Sequence, residues 1–431
     1  MMRTALSLSS LFASLILLVS GNAFLMTLLG LRLSMEAFAP SVIGWILVCY
    51  SFGFVFGTLY AGNVIQRVGH IRSFAVFAAL LSVAILVHAL AVDPWLWGFL
   101  RAIAGFMMAG LMIVVESWFS SRADNKNRAS LFAFYQVVFY LSTAGGQVLI
   151  RASEPTLFVP FSLAAMLVIL ALVPLSMTRR QSPDIEQSER LSLWRLYRES
   201  PVGALGAMVA GFLISSFYAM GPVFADRIGF ALNEISNFMA IAILAAMLLA
   251  WPVGRLCDRF DRYRVMLVAS VIAAVASAIT AVLAGFSPIL SMVFVGLYMG
   301  IAATLYPIGV AMTNDVMDSH RITAASTALL LSYGVGSCIG PLASALFMEW
   351  LGARGLFVAS LLVLGLFSAF IALQPRHRHP SVEEQEDFFL ATPEAGLGLQ
   401  DIDPRNPDFE PGMAVEPPSD SALVSDANAA K

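Results

Sequence analysis

Long apolar runs, separated by short polar turns, occupy most of residues 1–373. A helix of about 20 apolar residues is long enough to cross the hydrocarbon core of a bilayer. On that criterion the pattern predicts twelve membrane-spanning helices, at residues 8–31, 41–64, 73–92, 95–119, 129–150, 157–176, 201–224, 233–254, 265–285, 289–312, 324–348 and 353–373. Because the turns between several of these runs are short, neighbouring helices are expected to be antiparallel.

The longest internal break follows the sixth run and divides the predicted helices into two sets of six. We therefore expect an N-terminal six-helix bundle at 1–176, a cytoplasmic linker at 177–200 and a C-terminal six-helix bundle at 201–373. In the linker, arginines alternate with Leu191, Trp194 and Tyr197, which suits either a short helix at the headgroup surface or a solvated segment. Residues 374–431 carry 12 Asp/Glu against 4 Lys/Arg and are predicted to form a disordered acidic cytoplasmic tail.

Composition agrees with an all-α membrane protein. Hydrophobic residues make up 59% of the chain and charged residues 12%, with a mean hydropathy of +0.81, whereas soluble domains carry about 25% charged residues. The positive charge is scattered through short loops, which argues against a nucleic-acid partner. The three cysteines show no metal-ligand spacing, and no phosphate-binding loop or catalytic motif is found, so we predict no cofactor, no metal and no enzymatic activity.

The distribution of Lys and Arg among the loops predicts the orientation in the membrane. If the N-terminus is cytoplasmic, the inward segments hold 18 Lys/Arg and the outward loops hold four. Since cytoplasmic loops are enriched in Lys and Arg, both termini are expected in the cytoplasm.

A basic turn after the second helix is repeated after the eighth, 192 residues later, as residues 62–72 and 254–264. A repeat at this distance indicates a duplicated membrane domain. Glycines at its start would allow close approach of neighbouring backbones, and Arg67 and Arg259 would meet the negative ends of helix dipoles. Asp258 could accept a charge-assisted hydrogen bond from an arginine. We therefore predict gating loops that hold one side of the molecule shut, although plain positive-inside topology would also explain the arginines.

Two ionisable residues lie inside the fourth predicted helix. Arg101 and Glu116 are 15 residues apart and so cannot pair with each other. Ionisable groups within a span are candidate functional residues because their burial is costly. The alternatives are that Arg101 extends toward the membrane surface and that Glu116 pairs with an arginine of the inner loops. We predict a role in the substrate cavity for Arg101 and a proton-responsive role for Glu116.

Polar residues in the fifth helix recur at helical spacing. Gln136, Tyr140, Thr143 and Gln147 share one face, which indicates either a polar pathway or hydrogen bonding between helices. Asn22 and the tyrosines of the second half are further candidates. The residues predicted to line the substrate cavity are Asn22, Arg101, Gln136, Tyr140, Gln147, Tyr218 and Tyr306.

The repeated turn resembles the signature of the major facilitator superfamily of secondary transporters, which runs Gly-x-x-x-Asp-Arg-x-Gly-Arg-[Arg/Lys]-Arg. The gating-loop residues that match it are Gly62, Arg67, Gly69 and Arg72 in the first copy and Gly254, Asp258, Arg259, Arg262 and Arg264 in the second. Gln66 and Asp261 depart from it. Residues 115–117, 251–255 and 329–333 resemble the bacterial YcaD-like branch.

The resemblance implies two pseudo-symmetric bundles around a central cavity, and it links an arginine such as Arg101, followed by small residues, to proton coupling. Gly145-Gly146 in the fifth helix lacks the Gly-Pro of the drug-antiporter signature. We predict a proton-coupled secondary active transporter of a small organic molecule, working by alternating access. The alternatives are an ion-independent facilitator, or a membrane receptor or scaffold that uses the acidic tail. The expected partners are a small-molecule substrate, protons and membrane lipid, and the chain is expected to be a monomer.

Overall fold

The computed structural model describes residues 2–120, 128–176, 191–317 and 321–374. Most of the predicted linker and of the acidic tail lies outside these ranges. The helices are α1 (Met2–Met35), α2 (Pro40–Val68), α3 (His70–His88), α4 (Pro94–Ser120), α5 (Arg128–Val148), α6 (Val159–Leu170), α7 (Leu172–Ser176), α8 (Leu193–Glu199), α9 (Pro201–Arg227), α10 (Leu232–Arg259), α11 (Arg262–Leu283), α12 (Pro288–Ala302), α13 (Leu305–Asn314), α14 (Ile322–Leu351) and α15 (Gly355–Leu373).

The prediction of twelve spans in an all-helical membrane fold is confirmed. Within the described residues, eleven stretches are long and apolar enough to cross a membrane, and the last of them, Ala324–Leu373, is 50 residues long. It contains α14 and α15, which are separated at Gly352 by a left-handed backbone conformation (φ 69°). Counting these two helices separately gives twelve crossings, six on each side of the linker.

Prolines mark where several helices begin, because a proline at the first helical position loses no intrahelical hydrogen bond. Pro40, Pro201 and Pro288 all stand there. Prolines also occur inside the long apolar runs. Pro307 lies near a break, where α12 ends and α13 begins. Pro222 and Pro341 lie inside α9 and α14, which continue past them.

Glycines set the tightest helix crossings. A Cβ atom on Gly53 of α2 would lie 1.9 Å from the Ala102 carbonyl oxygen of α4, and one on Gly336 of α14 would lie 1.8 Å from the Met208 carbonyl oxygen of α9. The two halves of the molecule meet along three helix pairs: α2 with α14, α5 with α10 and α1 with α9. The space between the halves is therefore bounded by helices of both.

Part of the linker forms the short helix α8, whose contacts fix its position. Leu196 is fully buried, and Arg321 donates a hydrogen bond of 3.1 Å to Glu199. Burial tends to raise the pKa of Glu199, but hydrogen bonds from Arg195 and Arg321 and their positive charge outweigh it and hold this pKa below its ordinary value. Trp194 is 64% exposed, as expected for a helix at the headgroup surface.

Candidate functional site

A cavity of about 160 Å³ lies between the two halves. The first half contributes residues from α1, α2, α4 and α5, and the second contributes residues from α9 and α14. Of the predicted cavity residues, Asn22, Arg101 and Tyr218 line this space. Thr143, a member of the polar stripe on α5, also lines it.

Arg101 is the charged residue of the cavity lining, and it is almost fully buried, with 1% of its surface exposed. The centre of its guanidinium group lies 4.3 Å from the centroid of the Tyr50 ring, a distance at which a cation is attracted to an aromatic face. Nη2 lies 2.7 Å from the sulfur of Met26. Nε and Nη1 have no hydrogen-bond partner among the described residues. The cavity therefore contains an incompletely compensated positive charge.

Two further polar residues of the first half lie beside Arg101. The side-chain amide nitrogen of Asn22 donates to the hydroxyl of Tyr50 over 3.3 Å, so α1, α2 and α4 present one connected polar surface. We call Asn22, Tyr50 and Arg101 the polar wall.

The second half presents an apolar face to the same cavity. We call Ile214, Tyr218, Ala219, Tyr333 and Pro341 the apolar wall. The two serines beside it donate their hydroxyl hydrogens to backbone carbonyls: Ser215 to Ser337 over 3.0 Å, and Ser337 to Gly334 over 2.8 Å. Tyr306 is not among the residues lining the cavity. It is buried, with its ring edge-on to Tyr333 at 5.6 Å between centroids.

The remaining polar residues of α5 are buried but do not line this cavity. Gln147 accepts a 2.5 Å hydrogen bond from Thr27 and donates one of 3.3 Å to the Ala23 carbonyl, and so ties α5 to α1. This corresponds to the alternative of hydrogen bonding between helices. Gln136 and Tyr140 are 3% and 8% exposed, and a substrate contact for either of them stays a prediction.

Glu116 lies on α4 away from the cavity lining. It is 1% exposed and accepts a hydrogen bond of 3.3 Å from the hydroxyl of Tyr135 on α5. Of its suggested partners in the inner loops, Arg122 and the side chain of Arg128 lie outside the described residues. A buried carboxylate between two helices is suited to respond to a proton, and that role stays a prediction.

The gating-loop residues lie at the ends of α2 and α10. We call this the basic end of the molecule, and the end at which α1 and α9 terminate, at Met35 and Arg227, the far end. Gly69 has φ 89°, which glycine tolerates best, and it joins α2 directly to α3. Gly62 differs from the expected close approach, because a Cβ atom there would meet nothing within 4 Å.

The other gating-loop residues are partly exposed and partly buried. Arg67, Arg72, Asp258, Arg259 and Arg264 are exposed at the basic end, and Gly254 is buried. Arg264 lies 3.8 Å from Asp261 in its own turn. Arg262 is 1% exposed and forms a 2.5 Å salt bridge with Asp315, which follows α13. This salt bridge lies within the second half, so it joins two helices of one bundle and does not join the two bundles.

Hydrogen bonds between the two halves are found at the far end instead. Arg151 donates to Ser236 over 3.0 Å and also to Asn237, and Ser34 donates to Asp226 over 2.5 Å. We call these contacts the far-end clamp, together with the bond from Ser236 to the Gln147 carbonyl and that from Arg227 to the Phe38 carbonyl. The sequence does not reveal the clamp. Arg151 and Arg227 are two of the four arginines in the predicted outward loops, and nothing in their spacing indicates a partner in the other half.

Comparison with known proteins agrees with this architecture. The sequence profile of the Major Facilitator Superfamily matches residues 8–295 and 204–405. An MFS-type transporter named YcaD from Salmonella arizonae is 30% identical over 342 residues, which cover 79% of this chain and 88% of the relative. YcaD from Escherichia coli is 30% identical over 351 residues, covering 81% and 90%.

Solved structures share the fold at low sequence identity. The nucleoside transporter NupG has a TM-score of 0.73 at 16% identity, covering 86% of this chain and all of that one. A D-xylose-proton symporter has a TM-score of 0.65 at 14% identity, covering 87% and 98%.

Proposed function

The chain belongs to the Major Facilitator Superfamily of membrane transporters, and on that premise we propose that it carries a small organic molecule by alternating access. The observation that supports this most directly is the cavity between the halves, which has one wall from each of them. A site shared by two bundles can open to either side as the bundles rock about it. The names of the structural neighbours, a nucleoside transporter and a D-xylose-proton symporter, show that the fold can carry small organic molecules.

We also propose the placement in the membrane. The excess of Lys and Arg in loops at the basic end favours a cytoplasmic position for that end and for both termini. The far-end clamp then closes the cavity toward the outer side of a bacterial inner membrane. The proposed units are the bundles at 1–176 and 201–373, the linker at 177–200 and the tail at 374–431.

Proton coupling is proposed to depend on Glu116. Glu116 is buried between α4 and α5, so gain or loss of its proton changes the charge inside the bundle and can bias one conformation over the other. With any transported substrate, Glu116→Gln should give flux that no longer follows an imposed pH gradient, whereas a wild-type response in this variant would contradict the role.

Alternating access can be tested without knowing the substrate. In a chain whose three native cysteines are replaced, Ser51→Cys places a thiol in the cavity lining. A membrane-impermeant maleimide added to the outside should label this thiol slowly, whenever the far end opens. Linking Ser34→Cys to Asp226→Cys, whose native side chains are hydrogen-bonded, should abolish that labelling, and reduction should restore it.

A matched control links two helices of the same half. The hydroxyls of Ser270 and Ser368 lie 2.8 Å apart in α11 and α15, so a cysteine pair there should cross-link without affecting the labelling of Ser51→Cys. If the cavity thiol is never labelled from outside in the uncrosslinked protein, or if both cross-links act alike, the two halves do not alternate as proposed.

A further inference from the structure

Arg101 lies in the lining of the cavity, and none of the described lining residues is an acidic partner for it. It is 1% exposed, and its contacts are the Met26 sulfur and the Tyr50 ring. Among the described residues, Nε and Nη1 are buried without a hydrogen-bond partner. Removing a charge from water is costly unless it is paired and hydrogen-bonded. Attraction to the Tyr50 ring compensates part of this charge, and it leaves two donor nitrogens, Nε and Nη1, without an acceptor among the described residues.

An anionic group on the ligand supplies what Arg101 lacks. A guanidinium binds a carboxylate through pairs of neighbouring N–H groups, and each pair includes Nη2. Nη2 has a second N–H beside the one on Met26, so a carboxylate could accept from Nη2 together with either Nε or Nη1. Such bonds are stronger in a site that excludes water. The amide of Asn22 and the hydroxyl of Tyr50, already bonded to each other, lie on the same wall. The polar wall is therefore suited to hold one small acidic group.

The apolar wall determines which chemical groups can form the remainder of the ligand. Ile214, Ala219 and Pro341 offer no side-chain polar atom, and the serines beside them donate to backbone carbonyls. Apart from the hydroxyls of Tyr218 and Tyr333 and the two serine oxygens, this wall has no side-chain group to replace the hydrogen bonds that a polyhydroxylated ligand would lose to water. Flat apolar groups, by contrast, stack well against tyrosine rings such as those of Tyr218 and Tyr333.

The volume of the cavity indicates the size of the apolar body that the ligand can have. The volume is about 160 Å³, and an apolar cavity of about 150 Å³ in another protein holds benzene. A body of one six-membered ring or a short branched chain therefore fits between the walls, whereas a large multi-ring compound does not.

We propose that the ligand of this cavity is a small organic monoanion with a flat or compact apolar body, of which an aromatic monocarboxylate is the simplest example. The carboxylate pairs with Arg101, and the body rests on the apolar wall. This inference rests on the proposed function, because it takes the cavity to be the transport site. It excludes organic cations, which Arg101 repels, and sugars, which the apolar wall does not satisfy.

Three benzene derivatives of different charge, together with acetate, separate the contribution of the ligand's charge from that of its ring. Benzoate, neutral benzamide, cationic benzylamine and acetate are titrated against the full-length protein in nanodiscs, with binding followed by calorimetry and thermal unfolding. We expect benzoate to bind and to raise the unfolding temperature, with benzamide and acetate each weaker by roughly tenfold or more and with no binding of benzylamine. Equal or tighter binding of benzamide or benzylamine would overturn the proposal. So would the absence of binding by benzoate, phenylacetate and hexanoate at millimolar concentration.

Variants locate the effect at the cavity. Arg101→Gln should weaken benzoate binding by roughly tenfold or more, and Arg101→Lys should retain part of it as a point charge. The matched control is Arg255→Gln, because Arg255 also lies over an aromatic ring, that of Trp251 at 3.8 Å, but at an exposed site far from the cavity lining. Tyr218→Ala should weaken benzoate and leave acetate unchanged. Wild-type benzoate affinity in Arg101→Gln would refute the assignment, whereas partial affinity in Arg101→Lys together with weakened binding in Tyr218→Ala would support it.

The two proposals fail separately. If Ser51→Cys is labelled from outside and the far-end cross-link blocks this, alternating access holds whatever the probes do. Failure of every anion to bind such a protein would then overturn the ligand class alone.

Discussion

Replacing Arg101 by methionine should make the ligand-free protein more stable while removing its response to anions. The native guanidinium leaves Nε and Nη1 without partners at 1% exposure, and each unsatisfied buried donor costs about 1–3 kcal/mol. Against this, the variant loses a cation–π contact worth about 2 kcal/mol. Methionine is unbranched, and its sulfur can contact the Tyr50 ring for about 0.3–1.5 kcal/mol.

Together these contributions give a net gain of about 1–4 kcal/mol, which is similar to the gain found when buried ion pairs are replaced by apolar residues of similar volume. With an unfolding entropy of about 2 cal/mol/K per ordered residue, this corresponds to a rise of about 1–5 °C in the unfolding temperature. The assay is thermal unfolding of both proteins in the same detergent, with and without benzoate. Benzoate should stabilise the native protein and leave Arg101→Met unchanged.

Arg255→Met is the control for the loss of an arginine on an aromatic ring. Because Arg255 is exposed, its removal leaves no buried charge to be relieved, and we expect no gain in stability. If Arg101→Met without ligand is instead less stable than the native protein by more than about 1 kcal/mol, the guanidinium is already compensated by the protein, and the argument for an anionic ligand fails.

Three further predictions concern stability. Gly336→Ala should destabilise the protein by several kcal/mol in thermal unfolding, because its new methyl group would overlap a backbone carbonyl of α9. The control is Gly145→Ala, where a Cβ atom would meet nothing within 4 Å; it should be neutral or stabilising by up to about 1 kcal/mol. Asp315→Asn should lower stability by about 3–5 kcal/mol by leaving buried Arg262 uncompensated, and adding Arg262→Met should restore most of the loss; additive losses would contradict the pairing. The pKa of Glu199 is depressed, so its charge should hold α8 in place above the ordinary Glu pKa of about 4.3 and stop doing so as the pH falls below that value. Trp fluorescence can follow the release of α8, and Glu199→Gln should remove the pH dependence.

The sequence predicts the number and order of helices well because each span must be long and apolar, whichever neighbours it packs against. It predicts breaks less well. Pro307 lies at a break, but α9 and α14 continue through Pro222 and Pro341. Pro341 lies next to the close crossing of α14 with α9, where Gly336 and Gly340 meet the α9 backbone, and Pro222 packs near Gly30 of α1. This tertiary support has no local signal.

The cavity shows the same division between local and long-range information. A charge inside a span is costly wherever it faces, so Arg101 could be identified from the sequence alone. The face of α5 could not be oriented, since helical spacing places Gln147 on a stripe without saying whether the stripe meets the cavity or α1. Tyr50 was missed because it meets Arg101 only through the crossing of α2 and α4. The signal that could have found it is the pair Gly53 and Gly105, at which the two backbones approach most closely.

The uneven division of the cavity explains how one site could both hold and release a ligand. The polar wall lies entirely in the first half, and the apolar wall lies in the second. On the proposed mechanism, an anion would stay paired with Arg101 as the halves rock apart, while its apolar body would lose contact with α9 and α14. Affinity would then fall without the ion pair breaking first. The far-end clamp opposes this opening on one side only, through Arg151 and Ser34. A ligand that contacts both walls should therefore favour the closed arrangement of the halves over the open one. In this view the apolar body of the ligand, and not its charge, couples binding to the movement of the halves.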